Sequence, residues 1–377
     1  MTAVRKAEDL LACVRDAADG TGDTSEFRRA VLDGIRAGVP FDRGCIGMVD
    51  PATLMLTSAT MVDVDDPLGR AAGVVAELEY GSGPYANTYG RLARTPTGVQ
   101  TIRDGIEGEI REALPYLEIL EPMGMVDEVR LVFRGRDGCC WGVGTLMRGP
   151  GRMFDHKEVR ILARCAREIG EGLRLSLVRQ APRVLAEVSA GPAVVIVGPD
   201  DEVESATPVA LEFLERVVVE PRLRMLPVVS AAVRLRTSGR AVFTRARTVD
   251  GRWLVIRAGR FDGRGPAGRV VVTLEPAGPA EVVSLLTAIH GLTEREAAVL
   301  GRVLLGETRV QIGERLFISP YTVQDHLKSI YAKTGVNSRQ ELLAQLFYTH
   351  YLPRYGEPVG PGGWFAGDPV RAAHSPG

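Results

Sequence analysis

The sequence predicts a multidomain α+β chain that ends in an all-α module of four short helices. Three observations carry this. From 21 to 275, strand-like stretches bounded by Gly, Pro and Asp interleave with stretches of helical period. A Pro/Gly segment, PAGPAE at 276–281, then breaks the pattern. Beyond it the apolar residues keep helical spacing to about Tyr351.

Bulk properties bound the answer without deciding it. A chain of 377 residues, 45% hydrophobic and 25% charged, fits a folded soluble protein of two or three domains. Its formal net charge of −1 gives no global attraction to a polyanion, so any nucleic-acid role has to be argued locally. MTAVRKAEDLLACVRDAAD lacks the apolar core of a signal peptide, and no apolar run is long enough to cross a bilayer. The cytoplasm is the expected location, with no membrane partner. The five cysteines (Cys13, Cys45, Cys139, Cys140, Cys165) are odd in number and have no C-x-x-C spacing, which argues against a disulfide framework or a zinc site. Buried structural thiols are expected, with a reactive Cys139 or Cys140 as the alternative. The five histidines are scattered, none paired at ligand spacing. No metal, cofactor or catalytic residue is assigned.

The elements follow in order. Val4, Leu11, Val14 and Ala18 make one stripe of a short helix over 4–18. A second helix starts near Asp23, with Glu26 as a capping-box partner and Phe27, Val31 and Ile35 on one side. RGCIGMVDP and TLMLTSATMV read as strands around an Asp-Pro turn. Helical stretches follow at about 67–80 and 106–121, the latter broken at Pro115. EVRLVFRGRDGCCWGVGTLMR is a hairpin around a Gly/Asp turn. Asp155 with Glu158 caps a long helix in which Val159, Leu162, Ala166, Ile169 and Leu173 form a seam, either for intramolecular packing or for pairing two chains. This order, with VPFDRGCIGMVDPATLMLTSA as its opening strands, resembles a GAF-type sensory domain.

GPAVVIVGPDDEVESATPVALEFL reads as strand, turn, strand and helix, and GRAVFTRARTVDGRWLVIRAGRFDGRGPAGRVVVTLEP as three strands. Two strands, small helices and three strands resemble a PAS domain.

In the last module the helix starts are explicit. Thr293 with Glu296 and Thr308 with Gln311 form capping boxes, and Gly306 ends the first helix. Ser319 is an N-cap followed by Pro320 at the first helical position, where a missing N–H costs nothing. So tight a connection between the second and third helices fits a helix-turn-helix. At about 100° per residue, Val323, Leu327, Ile330 and Thr334 fall on one side of the third helix. Tyr321, Asp325, Lys328 and Ala332 fall opposite, with Gln324 and Ser329 on the flanks. A polar face with short side chains suits a major groove, whose base edges require donors and acceptors.

GLTEREAAVLGRVLLGETRVQIGERLFISPYTVQDHLKSIYAKTGVNSRQELL closely resembles the LuxR-type helix-turn-helix family. It carries L-T-x-R-E, then L-x-I-S-x-x-T-V, then H-L-x-x-I-x-x-K-x-G-V-x-S-R, all in register. The resemblance implies base contacts from Gln324, Asp325 and Lys328. It implies phosphate or positioning contacts from Thr308, Tyr321, Thr322, Lys333 and Arg339. Gln324 stands where many members have Lys or Arg, and Asp325 where Asn or another neutral residue is common, so the preferred operator is expected to differ from theirs. Electrostatics alone does not argue for DNA, since 291–350 holds seven Lys/Arg against six Asp/Glu.

The complete expectation is an N-terminal helix at 1–20, a GAF-like domain at 21–180 and a PAS-like domain at 181–275. A linker at 276–283 leads to an all-α tetrahelical helix-turn-helix DNA-binding domain at 284–351 and a disordered tail at 352–377. Lys157 is the one lysine between 21 and 280, which argues against a receiver domain, and no G-x-x-x-x-G-K-[ST] marks an ATPase. GSGPYAN at 81–87 is a turn rather than an anion cradle. The expected function is sequence-specific transcriptional regulation. Its partners are double-stranded DNA and a second copy in a homodimer. RNA polymerase and a small-molecule ligand of the N-terminal region are further candidates. The rival is a thiol- or ligand-responsive sensor that acts through protein contacts.

Overall fold

The computed structural model describes residues 3–20, 24–63, 72–82, 88–104, 119–179, 191–217, 223–249, 251–260, 268–277 and 279–348. The helix start at Asp23, most of 106–121, residues 83–87 and the tail at 352–377 lie outside these residues. The chain divides into two compact units. Described residues of 1–186 and 192–275 form the first, and those from 276 onward belong to the second.

Two five-stranded sheets build the first unit. In one, β1 (Arg43–Val49), β2 (Leu56–Val62), β3 (Val99–Thr101), β4 (Asp127–Arg134) and β5 (Cys140–Arg148) lie in the order β2-β1-β5-β4-β3, antiparallel throughout. In the other, β6 (Val194–Val197), β7 (Val203–Ala206), β8 (Val242–Arg247), β9 (Trp253–Arg260) and β10 (Val270–Pro276) lie in the order β7-β6-β10-β9-β8. Each sheet thus repeats one winding, second-first-fifth-fourth-third. The two sheets fall within the stretches expected as GAF-like and PAS-like modules.

Helices α1 (Ala3–Gly20), α2 (Thr24–Gly38) and α5 (His156–Arg179) pack together against the first sheet. The buried side of α1 is Ala7, Leu10 and Val14, so of the expected stripe only Val14 is buried while Val4 is exposed; Phe27, Val31 and Ile35 of α2 are buried as expected. Of the α5 seam, Leu162, Ala166, Ile169 and Leu173 are buried in this layer and Val159 is half-buried. The seam therefore serves the fold, and a dimer built on it is not what the structure presents. Asp155 caps α5 through Oδ1 to the Glu158 amide at 2.8 Å, and the Glu158 carboxylate accepts in return from the Asp155 amide at 3.1 Å. Gly170 lets this helix touch the sheet, since a Cβ there would stand 2.4 Å from the Arg134 backbone.

The other face of the sheet carries α3 (Ala72–Tyr80) and the single turn α4 (Tyr89–Leu92), where Leu92 joins Val49, Val132 and Val143. A buried ionic network anchors both helices to β4. Arg130 Nε donates to Glu128 at 3.0 Å, its Nη1 bonds Glu79 of α3, and Glu79 accepts from the Tyr89 amide at 2.9 Å. Strand β3 and helix α4 are too short to register as a periodic pattern, and sequence reading passed over both.

After α6 (Pro208–Val217), helix α7 (Leu226–Ser238) lies between the two sheets, touching α3 and β2 on one side and β6, β8 and β9 on the other. Both sides being covered explains its composition. Leu226, Val228, Val229, Ala231, Ala232, Val233 and Leu235 are all buried, and the helix has no polar stripe. Across the same boundary, Asp50 at the end of β1 and Arg245 of β8 form an ion pair at 2.8 Å with side chains 0% and 3% exposed.

The thiols are poorly placed for chemistry. Burial, with Asp137 alongside, pushes Cys139 up to about 11, and burial pushes Cys140 up to about 12. Cys45 and Cys165 are each raised to about 11 by burial. The thiolate is the reactive form, so near neutral pH all four are protonated. A colorimetric thiol reagent is expected to label the native chain slowly and the denatured chain at once. One fast-reacting thiol in the folded protein would favour a redox sensor instead. Among the described residues, no three His, Cys, Asp or Glu side chains converge to hold a metal ion, and no helix is long and apolar enough to cross a membrane.

Candidate nucleic-acid interface

The second unit begins with α8 (Pro279–Ile289), which starts inside the segment expected as a linker at 276–283. Proline opens a helix readily, because the first turn needs no N–H from it. Four helices follow: α9 (Glu294–Leu304), α10 (Arg309–Leu316), α11 (Pro320–Thr334) and α12 (Arg339–Tyr348). Both capping boxes form, Thr293 with Glu296 and Thr308 with Gln311. Ser319 caps α11 through its side chain, and Pro320 occupies the first turn. Phe317 closes α10 in the left-handed region at φ 56°, and Gly335 closes α11 at φ 75°. The core is Val299, Leu300, Val303, Ile312, Val323, Leu327, Ile330 and Leu342.

That core takes one side of α11 and leaves the other to solvent. Val323, Leu327 and Ile330 are buried, whereas Tyr321, Asp325, Lys328 and Ala332 are exposed, Tyr321 at 76%. The exposed stripe is the one that helical spacing assigned. Asp325 and Lys328 are paired across one turn at 3.7 Å and remain largely in solvent. Gln324 and Thr322 are half-buried at its border. Thr322 Oγ1 lies 2.9 Å from Ser319 Oγ, and Gln324 Oε1 accepts from Arg309 Nη1 at 2.5 Å.

The remaining candidates are engaged with the module itself. Thr308 Oγ1 accepts from the Gln311 amide, at 3.4 Å, and its own amide donates to Gln311 Oε1 at 2.8 Å. Arg339 donates to the Val303 carbonyl at the end of α9 at 3.2 Å and to the Glu307 carbonyl in the loop beyond it at 2.8 Å. Lys333 Nζ lies 2.7 Å from Glu296 Oε2 and 3.1 Å from the Gly291 carbonyl. Ser329, placed by sequence on the flank of the outer face, turns inward and donates to Glu296 Oε1 at 2.6 Å.

Glu296 is thus the tie between α9 and α11. Sequence reading saw only its capping role, because its contacts with α11 lie 33 and 37 positions away. Burial alone would raise its carboxyl. Hydrogen bonds from Lys333, Ser329 and the Thr293 amide outweigh that and draw it from 4.5 down to about 2. A depressed carboxyl contributes stability that is complete above its unfolded value and fades as pH falls toward its folded one. Hydrogen exchange on the full chain is expected to show α9 and α11 losing protection between pH 4.5 and about 2. Glu296→Gln should remove that dependence. Protection that falls with the same profile in the variant would mean another carboxylate is responsible.

Residues 290–345 match the family model described as bacterial regulatory proteins, luxR family. This segment is a LuxR-type helix-turn-helix DNA-binding domain. Among solved structures, the chain is similar to SdiA of Escherichia coli at 12% identity and a TM-score of 0.33, over 89% of this chain and 94% of that one. It is similar to the photosensory core module of the Stigmatella aurantiaca phytochrome at 16% identity and a TM-score of 0.30, over 77% of this chain and 51% of that one. Similarity to the Vibrio cholerae VqmA dimer is 15% identity at a TM-score of 0.19, over 43% and 83% of the two chains. The fold is defined by the chain's own sheets and helices. No curated protein gave a significant match.

Proposed function

We propose that this chain is a sequence-specific transcriptional regulator acting in the cytoplasm. Its second unit reads double-stranded DNA as part of a homodimer, and its first unit senses a signal. The observation that carries the reading is the exposed stripe Tyr321–Asp325–Lys328–Ala332, free of bulky apolar residues apart from the amphipathic Tyr321, on a helix whose opposite side is fixed in the core. A groove about 12 Å wide admits such a helix, and its base edges pair with amide, carboxylate and ammonium groups. Gln324, Asp325 and Lys328 are the proposed base readers, with Thr308, Tyr321 and Thr322 as phosphate contacts. Arg339 and Lys333 are proposed to act by position.

A small-molecule effector is proposed for the first unit. An open surface groove between α2 and β2, bordered by Glu26, Arg29, Asp33 and Thr60, is the proposed seat. The raised thiols support this reading over a redox sensor that works through protein contacts.

Mobility shift of the purified chain on genomic fragments, across a salt series, tests the central claim. One or a few fragments should be retained at salt concentrations that release bulk DNA. A protein that binds all fragments alike at every salt concentration would not be a sequence-specific regulator.

A further inference from the structure

The recognition surface holds a contact that the linear pattern conceals. Arg309, the first residue of α10, reaches 15 positions along the chain to donate from Nη1 to Gln324 Oε1 at 2.5 Å. Both side chains sit at the border of the exposed stripe, Arg309 in solvent and Gln324 half-buried. A guanidinium carries five donors and no acceptor, so only the oxygen of the amide can face it. The Nε2 group is then turned away from Arg309.

This orientation matters for what Gln324 can read. Bidentate recognition of adenine uses the amide oxygen to accept from N6 and the amide nitrogen to donate to N7. Here the oxygen already accepts from a full positive charge, which repels the amino hydrogens of adenine N6 or cytosine N4. The same charge attracts acceptor edges, which guanine presents at both N7 and O6 and thymine at O4, whereas adenine sets its N7 acceptor beside the repelled N6 donor. We infer that Arg309 is a positioning residue that fixes the Gln324 amide with its donors outward, so that the base step facing Gln324 is read as guanine or thymine rather than adenine. The inference rests on α11 being the base-reading helix and adds the direction of its preference at one step.

Selection of bound sequences from a random duplex library tests it, using the full chain and its Arg309→Met, Arg309→Lys, Gln324→Met and Arg309→Met/Gln324→Met variants. The wild type is expected to show one position rich in guanine or thymine that Gln324→Met abolishes. Arg309→Met should lose about fivefold or more of the discrimination at that position and at no other. Arg309→Lys, also a pure donor, should keep the preference. In the Gln324→Met background, Arg309→Met should leave base preference unchanged. Unchanged melting temperatures would show that the variants fold. Adenine at the Gln324 position, or Arg309 and Gln324 effects that simply add, would overturn the inference while leaving a DNA reader in place. So would a loss of affinity equal at every position, which would mark Arg309 as a phosphate contact. A wild type that selects no sequence at all would overturn both this inference and the regulatory reading.

Discussion

Asp50→Ala is expected to destabilise the first unit by about 3–5 kcal/mol, because it strips the carboxylate from a buried guanidinium. Arg245 meets Asp50 through three donors: its amide to Oδ2 at 2.8 Å, Nε to Oδ2 at 2.9 Å and Nη2 to Oδ1 at 2.8 Å. The Ala52 amide adds a fourth bond to Oδ1 at 2.9 Å. A carboxylate so satisfied can tolerate complete burial, but its loss removes the acceptor of four donor bonds at a boundary closed to water. The double replacement Asp50→Leu with Arg245→Met should recover most of the loss, since a well-packed apolar pair often equals a buried ion pair in stability. Urea unfolding of the three chains measures this. A near-neutral Asp50→Ala, or a double variant no better than the single, would show that the pair does not hold the boundary.

The pair also bears on how a signal could travel. Around it, Arg234 of α7 donates to the Thr53 carbonyl at 2.6 Å, and Thr53 and Thr244 share a hydrogen bond of 3.2 Å. The turn between β1 and β2 is therefore bonded to both a helix and a strand of the second sheet. Displacement of β1 or β2 would be passed to β8 and α7 directly, through contacts that have little slack. The route runs through direct side-chain contacts between the two sheets, the Asp50–Arg245 pair among them.

Sequence made some of this readable and hid the rest for definable reasons. The stripe on α11 was legible because a helix packed on one side writes a period of about 3.6 into its own residues. The caps at Thr293, Thr308 and Ser319 were legible because capping is a local exchange over three positions. The boundary between the sheets was not. Asp50 looks like the start of an Asp-Pro turn and Arg245 like one charge in a strand, and the pair is separated by 195 positions. Helix α7 gave no stripe because it is covered on both sides. The α5 seam was visible as an apolar row, but the pattern does not say whether α1 and α2 or a second chain covers it. At the candidate interface the same limit applied. Residue types placed Gln324, Asp325, Lys328 and Lys333 on α11, whereas Arg309 beside Gln324 and Glu296 beneath Lys333 are products of the tertiary fold.

The two lysines of α11 are expected to fail in opposite ways when shortened. Lys328 is two-thirds exposed, and its pairing with Asp325 at 3.7 Å contributes at most about 1 kcal/mol to the fold. Lys328→Ala should therefore leave the melting temperature unchanged. It should weaken specific binding by about 1–3 kcal/mol, roughly 5- to 150-fold, and relax preference at one base step. Lys333 is different, because its ammonium closes the Glu296 network from the solvent edge. Lys333→Ala leaves that carboxylate charged and poorly solvated, at a cost of about 1–3 kcal/mol to the second unit. Binding should then fall alike on all sequences as α11 loosens from α9. The salt dependence decides between a structural and a phosphate role. A residue that neutralises a phosphate takes about one unit of slope with it when removed, whereas one that acts through Glu296 leaves the slope as it was. Thermal melting and salt-series binding of the two variants, read together, separate these outcomes. A stable Lys333→Ala with a shallower slope would move Lys333 from the frame of the reader to its contact with DNA.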